Sequence, residues 1–290
     1  MDPATLTAHD LDHYRQQGFL LVEDCFTADE LQALVDAATA LTDTEVSSAL
    51  SDWRRDASGA PPLCIHQPQA LSPVIRDWTS HPRIADILAQ LVGAHLPADW
   101  WDGSVKCMQS MFFYKRPGMP GQAWHQDEIY IPTRDRSLTG AWIAVDDADE
   151  ENGCLWVLPG SHRAGVLYDQ REHDNPDQDE AAESVGFDDT AQIPVPVRAG
   201  SVLFFNGYLL HRSGPNRSAE RSRRVLVSHY MTAQSLLPWH RPPEGVDVAR
   251  HDHRRIMLVA GHDPYPWKST DPFTAADIHV RRARAPTANS

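Results

Sequence analysis

A histidine and an aspartate two positions apart are the residues of this chain whose types and spacing best suit chemistry. His125 and Asp127 lie in the stretch Trp124-His125-Gln126-Asp127-Glu128-Ile129-Tyr130-Ile131, which we interpret as a strand. Side chains two apart in a strand project from the same face, about 7 Å apart along the chain. The pair can supply two ligands of a 2-His-1-carboxylate metal site, which needs one more histidine and leaves positions open. Alone, the pair is weak evidence.

A candidate for the further histidine follows an apolar stretch. Residues 204–210 are mostly apolar, and His211 comes next, before the turn sequence Ser213-Gly214-Pro215-Asn216. We expect a strand that ends in His211, so that the sheet fixes this residue while its ring faces a cavity.

Three arginines stand just downstream. Arg221, Arg223 and Arg224 precede the apolar run Val225-Leu226-Val227. A guanidinium that points from a strand into a barrel is costly unless it meets an anion, and a dicarboxylate would pair with it in bidentate fashion. Strand alternation places Arg223 on the face of Val225 and Val227 and Arg224 on the opposite face, and all three arginines remain candidates.

The elements that must position these residues are helices first and strands afterwards. We expect helices over residues 8–20, after the capping box at 27–30, and over 82–93, whereas residues 43–70 show no usable pattern. Short strands follow, separated by Gly and Pro, at 105–114, around His125, and at 140–145, 154–158, 195–197, 201–205 and 224–231. This spacing predicts a mainly β fold with flanking α-helices, and a cupin-like jelly roll is the natural candidate.

We therefore expect a single domain over residues 1–290. Its N-terminal helices occupy about 8–95, its jelly-roll core about 105–232, and a C-terminal extension 233–290. Between two strands lies an acidic stretch, residues 169–189, which is either a solvated surface loop or a lid over the metal site.

Composition limits the classes of function. The chain has 41% hydrophobic and 23% charged residues, as in ordinary globular proteins, and lacks an apolar run long enough for a membrane span. A formal net charge of −14 argues against nucleic acid and anionic membranes as partners, because either would repel the protein. The four cysteines are scattered, and the first residues lack the pattern of a signal peptide, so we expect a cytoplasmic protein.

Nine short motifs follow one another along the chain. They are Tyr14-Arg15-Gln16-Gln17-Gly18-Phe19, Met108-Gln109-Ser110-Met111, Lys115-Arg116-Pro117-Gly118, Trp124-His125-Gln126-Asp127, Ala141-Trp142-Ile143-Ala144, Glu151-Asn152-Gly153-Cys154-Leu155, Leu158-Pro159-Gly160-Ser161-His162, His211-Arg212-Ser213-Gly214-Pro215-Asn216 and Arg223-Arg224. Taken together, these motifs resemble the phytanoyl-CoA dioxygenase family of Fe(II)/2-oxoglutarate-dependent oxygenases. The resemblance runs from about Asp10 to Tyr230.

The resemblance implies a double-stranded β-helix and a full set of site residues. His125, Asp127 and His211 would bind Fe(II), and Arg223 would pair with the distal carboxylate of 2-oxoglutarate with help from Ser213. Met111 and Trp142 would line the co-substrate pocket. With O2, such an enzyme hydroxylates an unactivated C–H bond of a small metabolite (a secondary metabolite, an amino-acid-like or an acyl substrate) and releases succinate and CO2. Halogenating relatives lack the carboxylate, so the presence of Asp127 argues against halogenation.

Several alternatives stay open at this point. The same cofactors serve desaturation, epoxidation and cyclisation, and a cupin-like metalloenzyme could work without 2-oxoglutarate. A binding or sensor protein could keep the roll and lose the chemistry, although an intact ligand triad argues against that. Tyr130, Trp156 and Trp239 are candidates for the wall of the substrate pocket.

Overall fold

The computed structural model describes residues 5–42, 51–52, 62–236, 255–268, 270, 272–274 and 277–282. Its α-helices there are α1 Ala8–Gln17, α2 Ala28–Thr42, α3 Pro73–Thr79 and α4 Pro82–Leu91. Thr7 closes a capping box with Asp10 at the start of α1, and Thr27 and Glu30 cap α2 in the same way. The helices expected from the sequence are confirmed, and α3 was not predicted.

The strands form two large sheets and one small pair. They are β1 Phe19–Val22, β2 Ser51–Asp52, β3 Pro62–His66, β4 Val105–Lys115, β5 Gln122–His125, β6 Thr139–Ala144, β7 Leu155–Val157, β8 Gln170–Arg171, β9 Glu183–Ser184, β10 Ile193–Val195, β11 Val202–Asn206, β12 His211–Ser213, β13 Arg223–Thr232, β14 Met257–Ala260 and β15 His279–Arg282. The main sheet has the order β1-β11-β6-β13-β4-β3-β15-β2, with β14 also paired to β4. The smaller sheet has the order β10-β7-β12-β5, and β8 pairs with β9.

Residues of the main sheet alternate between two faces, as the period of a strand requires. One face packs against the helices and buries Ile65, Phe112, Ile143, Phe204 and Leu226. The other face looks toward the smaller sheet, where Trp142, Leu203 and Val227 share a second core with Leu155 and Val157. Two facing sheets with helices outside make the predicted jelly roll.

Register aligns the inward-facing residues into rows across the main sheet. One row runs His279, His66, Met111, Val227 and Trp142, each opposite its neighbour on the next strand. The described part of the C-terminal region therefore belongs to the same sheet as the centre of the roll, while the division into helices, core and extension stays a prediction. None of the described helices is both long enough and apolar enough to cross a membrane.

Candidate active site

The strand that carries His125 ends at that residue. β5 covers Gln122–His125, and Asp127 opens a turn of 3-10 helix over Asp127–Ile129. The expectation that both residues share one strand face is therefore wrong. The change of backbone direction after Gln126 nevertheless turns the Asp127 carboxylate toward the ring of His125, with 3.6 Å between Oδ1 and Nε2.

His211 begins a strand instead of ending one. The apolar strand β11 stops at Asn206, a buried turn follows, and His211 is the first residue of β12. This strand lies in the smaller sheet, where His211 is directly opposite His125 on β5. The predicted boundary is wrong, but the pairing of β12 with β5 is what places the two histidine rings 4.1 Å apart.

The three side chains form a buried cluster suited to one metal ion. One ligand atom from each of His125, Asp127 and His211 lies within 4.8 Å of the others. Nδ1 of His125 donates to the Ala123 carbonyl at 2.8 Å, and Nδ1 of His211 donates to the Leu209 carbonyl at 2.9 Å. These bonds select the tautomer that leaves each Nε2 lone pair free for a metal. Burial lowers the pKa of His125 to about 4, which also favours the neutral ligand.

A third histidine holds the other oxygen of the carboxylate. Nε2 of His229, from β13, donates to Oδ2 of Asp127 at 2.9 Å, so that Oδ1 is left facing His125 and His211. Burial alone would raise the pKa of Asp127, but the histidines around it outweigh burial and keep that pKa well below its ordinary value. Strand alternation puts His229 on the same face as Arg223, Val225 and Val227, but no local pattern in the sequence indicates its partner Asp127.

Of the three arginine candidates, the structure brings Arg223 into the cavity. Its side chain is 2% exposed, its guanidinium lies 5.4 Å from the centre of the Trp142 ring, and its Nε is buried with no hydrogen-bond partner among the described residues. Burial lowers the pKa of Arg223 to about 10. Arg224 instead holds Asp146 through two nitrogens, and Arg221 is exposed and pairs with two acidic side chains, Asp149 and Glu151.

Ser213 and Lys115 complete this end of the cavity. The Ser213 hydroxyl accepts from the Lys115 ammonium at 3.0 Å and from the Gln122 amide at 3.1 Å. A hydroxyl has two acceptor lone pairs and one hydrogen, and these two bonds use both lone pairs of Ser213. Its hydrogen is therefore free to point to another acceptor, and Ser213 lines the cavity. Burial holds the pKa of Lys115 well below its ordinary value, and the charge of Arg223 lowers it further.

These groups line one cavity of about 640 Å³ between the two sheets. Met111 and Trp142 line it, as expected, and Tyr130 stands beside the cluster, with its ring centre 6.4 Å from that of His125. Trp156 is not among the lining residues and stacks with Arg212 instead, and Trp239 falls outside the described residues.

The acidic segment, residues 169–189, also reaches the cavity. It contains β8 and β9, which pair with each other, and its Asp179 is buried and lines the cavity together with Gln170. The Phe187 ring packs on Trp124 and Tyr168. A purely solvated loop does not describe this segment, since part of it forms the wall of the site.

Comparison with known proteins assigns the family. The family model for phytanoyl-CoA dioxygenase (PhyH) matches residues 14–225, most of the chain. The chain belongs to the phytanoyl-CoA dioxygenase family. The predicted family is thereby confirmed, together with the prediction of a dioxygenase of this class.

Three relatives show how far the family likeness extends. Phytanoyl-CoA dioxygenase domain-containing protein 1 of Danio rerio is 31% identical over 59% of the chain, a match that spans only 57% of that relative. A phytanoyl-CoA dioxygenase of Arabidopsis thaliana is 29% identical over 78% of the chain and 88% of its own length. A methylphosphonate hydroxylase of Gimesia maris is 27% identical over 92% of the chain and 99% of its own length.

A solved structure shares the fold of this dioxygenase-family chain. The epimerase SnoN in complex with Fe3+, alpha ketoglutarate and nogalamycin RO superposes with a TM-score of 0.61 at 22% identity, covering 94% of the chain and 97% of SnoN. The jelly-roll fold is confirmed by this likeness. SnoN holds iron, there as Fe3+, and alpha ketoglutarate, which is 2-oxoglutarate. Iron and this co-substrate are the pair that the sequence of our chain led us to expect, with the iron as Fe(II).

Proposed function

We propose that this protein is an Fe(II)- and 2-oxoglutarate-dependent oxygenase that hydroxylates an unactivated C–H bond of a small metabolite, with release of succinate and CO2. His125, Asp127 and His211 bind the iron. Arg223 and Ser213 bind the distal carboxylate of 2-oxoglutarate, and Trp142 and Met111 line its pocket.

The observation that carries this proposal is the buried, incompletely paired guanidinium of Arg223 in the same cavity as the histidine–carboxylate cluster. A buried cation without an anion is unfavourable, so the fold is built to receive one at this place. A dicarboxylate that also chelates the metal satisfies both requirements. This feature favours a 2-oxoglutarate enzyme over a cupin-like metalloenzyme that needs no such co-substrate.

The hydroxyl of Ser213 supports the same assignment. Both of its lone pairs are used by Lys115 and by the Gln122 amide, so its hydrogen is oriented for an acceptor in the cavity. Arg223 and Lys115 are directly opposite each other on β13 and β4, which places the guanidinium and the Ser213–Lys115 pair at one end of the cavity. A carboxylate between Arg223 and Ser213 would receive charge-assisted hydrogen bonds from both.

The donor set fits ferrous iron. Two neutral imidazoles and one carboxylate on the same side of a cavity are typical of the facial triad of non-haem Fe(II) oxygenases. Iron with 2-oxoglutarate and O2 supplies the oxidising chemistry, and the chain supplies ligands, orientation and a dry pocket. His229 fixes the Asp127 carboxylate, while Trp142 and Phe205 give the cavity apolar walls beside the cluster.

We propose hydroxylation as the outcome because the Gimesia maris relative, which the chain matches over nearly its whole length, is a methylphosphonate hydroxylase. Desaturation, epoxidation and cyclisation use the same metal and co-substrate. Mass spectrometry of the product separates hydroxylation and alkene epoxidation, which each add one oxygen atom, from desaturation and oxidative cyclisation, which each remove two hydrogens. NMR of the product then separates the members of each pair.

The first test is an anaerobic titration of metal-free protein with Fe(II) and then with 2-oxoglutarate. We expect a visible metal-to-ligand charge-transfer band, which His125→Ala abolishes and Arg223→Met weakens by raising the Kd for 2-oxoglutarate at least tenfold, about 1.4 kcal/mol. Arg224→Met is the matched control, because Arg224 is the next residue on the same strand and pairs with Asp146 away from the cavity. Folded, iron-loaded protein without a band would exclude the 2-oxoglutarate assignment.

A further inference from the structure

A second arginine lines the cavity from a strand near the edge of the main sheet. Arg281 on β15 is opposite Cys64 on β3, and Cys64 is opposite Phe113 on β4. Phe113 and Arg281 both line the cavity, and the Arg281 guanidinium lies 5.4 Å from the centre of the Phe113 ring. The contact with Phe113 therefore holds the guanidinium of Arg281 at the wall of the cavity.

The backbone of Arg281 is well separated from that of Arg223, the residue proposed to bind the co-substrate. The strands β15, β3, β4 and β13 are successive neighbours, so the backbones of Arg281 and Arg223 are three strand spacings apart, roughly 14 Å. Arg223 is directly opposite Lys115, at the end of the cavity where Ser213 lies. Arg281 instead pairs with Asp179, and its charge acts on both Lys115 and Tyr130. A cavity of about 640 Å³ has room for a second small molecule beside 2-oxoglutarate.

Arg281 is held from two sides, and the rest of its side chain lines the cavity. Its Nη1 meets Oδ2 of Asp179 at 2.8 Å, and Asp179 belongs to the acidic segment, residues 169–189. The guanidinium also contacts the Cys64 thiol on the neighbouring strand, and its Nε is enclosed by protein. The Arg281 side chain is only 12% exposed and lines the cavity, so a ligand there meets a cation that little water surrounds.

The neighbours of Arg281 do not compete with it for an anion. His66 and His279 stack on each other with 4.3 Å between ring centres, and both line the cavity beside Arg281. Burial holds the pKa of His66 well below its ordinary value and also lowers the pKa of His279, so both are neutral near pH 7. Among the described residues that line this side of the cavity, Arg281 is the permanent cation.

We propose that Arg281 is a substrate-binding residue and that it holds a carboxylate, or a similar anionic oxygen group, on the substrate of this enzyme. The inference rests on the proposed function and adds the chemical class of the substrate to it. Asp179 positions the guanidinium through Nη1, and the substrate anion binds where Arg281 lines the cavity. The substrate is thus anchored on β15 while its reactive carbon extends toward the cluster of His125, Asp127 and His211.

The test compares acids with their neutral amides. Wild-type protein loaded anaerobically with Fe(II) and 2-oxoglutarate is titrated with hexanoate and benzoate, and separately with hexanamide and benzamide, by calorimetry and by perturbation of the charge-transfer band. We expect each acid to bind roughly tenfold more tightly than its amide, because a buried charge-assisted hydrogen bond discriminates by about that factor. Arg281→Met should abolish the preference, and Arg281→Lys should keep part of it.

Asp179→Asn separates binding from a structural role. If Arg281 and Asp179 are only a structural ion pair, both substitutions weaken acid binding alike. If Arg281 binds the substrate anion, Asp179→Asn removes a competing negative charge and tightens acid binding several-fold, opposite in sign to Arg281→Met.

The outcomes also distinguish this inference from the proposed function. A normal charge-transfer band with no preference for acids, or a preference that survives in Arg281→Met, overturns the role of Arg281 alone. Loss of the band in Arg281→Met would make Arg281 a co-substrate residue and also overturn the inference. Absence of the band in wild type would remove the proposed function, and this inference with it.

Discussion

The Asp127 carboxylate depends on one buried neighbour, His229. We predict that His229→Ala weakens Fe(II) affinity by about 10- to 100-fold, because Oδ2 of Asp127 loses the donor that fixes its orientation. His229→Gln retains a donor and should recover part of the affinity. The measurement is the anaerobic Kd for Fe(II), read beside the unfolding temperature.

The matched control for His229 is the next residue. Tyr230→Phe removes a hydrogen bond to the Thr79 carbonyl on the helix side of the same strand. This variant should lose stability and keep its iron affinity. Equal iron affinities for wild type and His229→Ala would contradict the positioning role.

For single residues, the sequence was most informative where the alternation of side chains along a strand decides which face each residue occupies. Arg223 faces the cavity and Arg224 faces away toward Asp146, as alternation predicted. Lys115 and Arg281 escaped prediction because a buried cation is recognisable only from its partners. Those partners, Ser213 and Asp179, lie 98 and 102 positions away in the chain, and nothing in the local sequence indicates them.

Among the elements, β11 places the Phe205 ring directly over a glycine of β6, so that this position accepts no side chain unless the ring moves. Gly140 is opposite Phe205, and a Cβ at Gly140 would overlap the Phe205 ring, which itself packs 4.8 Å from the ring of His211. We predict that Gly140→Ala lowers the free energy of unfolding by about 1–3 kcal/mol and weakens iron binding, because Phe205 must move against a metal ligand. Chemical denaturation and Fe(II) titration measure the two effects.

A glycine with space around it provides the comparison for Gly140. A Cβ at Gly214 would have its nearest neighbour at 3.8 Å, an ordinary contact. Gly214→Ala should therefore change the free energy of unfolding by less than about 0.5 kcal/mol. If both variants behave alike, the packing of Phe205 over Gly140 does not constrain the site.

The boundaries of the ligand-bearing elements were the least predictable part of the site. The stretch from Trp124 to Ile131 and the stretch from Phe204 to His211 both have the composition of continuous strands, yet each contains a turn. The turn before His211 includes Leu209 and Leu210, which are fully buried, so hydrophobicity does not distinguish it from a strand. Tertiary pairing of β12 with β5 and β7 decides where the chain reverses.

Considered as a whole, the molecule assembles its site from segments that are distant in sequence. The metal cluster belongs to the smaller sheet and the turn after it, Arg223 to the centre of the main sheet, and Arg281 to a strand near the edge of that sheet. The order of motifs was sufficient to predict the jelly roll and its metal cluster. The contribution of β15 was not predictable, because its pairing with β3 joins residues 279–282 to residues 62–66 across most of the chain.

Because the site is assembled from distant segments, ligand binding depends on the whole fold and should stabilise it. In the unfolded chain the three proposed metal ligands and Arg223 are far apart, so we expect Fe(II) and 2-oxoglutarate to bind the native state almost exclusively. At a hundredfold excess over its Kd, a ligand of this kind stabilises by about 2.7 kcal/mol, and we predict a rise in unfolding temperature of about 5 °C or more for Fe(II), with a further rise for 2-oxoglutarate. Anaerobic differential scanning calorimetry measures both shifts, and a chelator should reverse them.

Two variants show which residues these temperature shifts depend on. Arg223→Met should keep the rise with Fe(II) and lose most of the further rise with 2-oxoglutarate, whereas His125→Ala should lose both. If the rise with 2-oxoglutarate persists in Arg223→Met, the co-substrate binds away from β13.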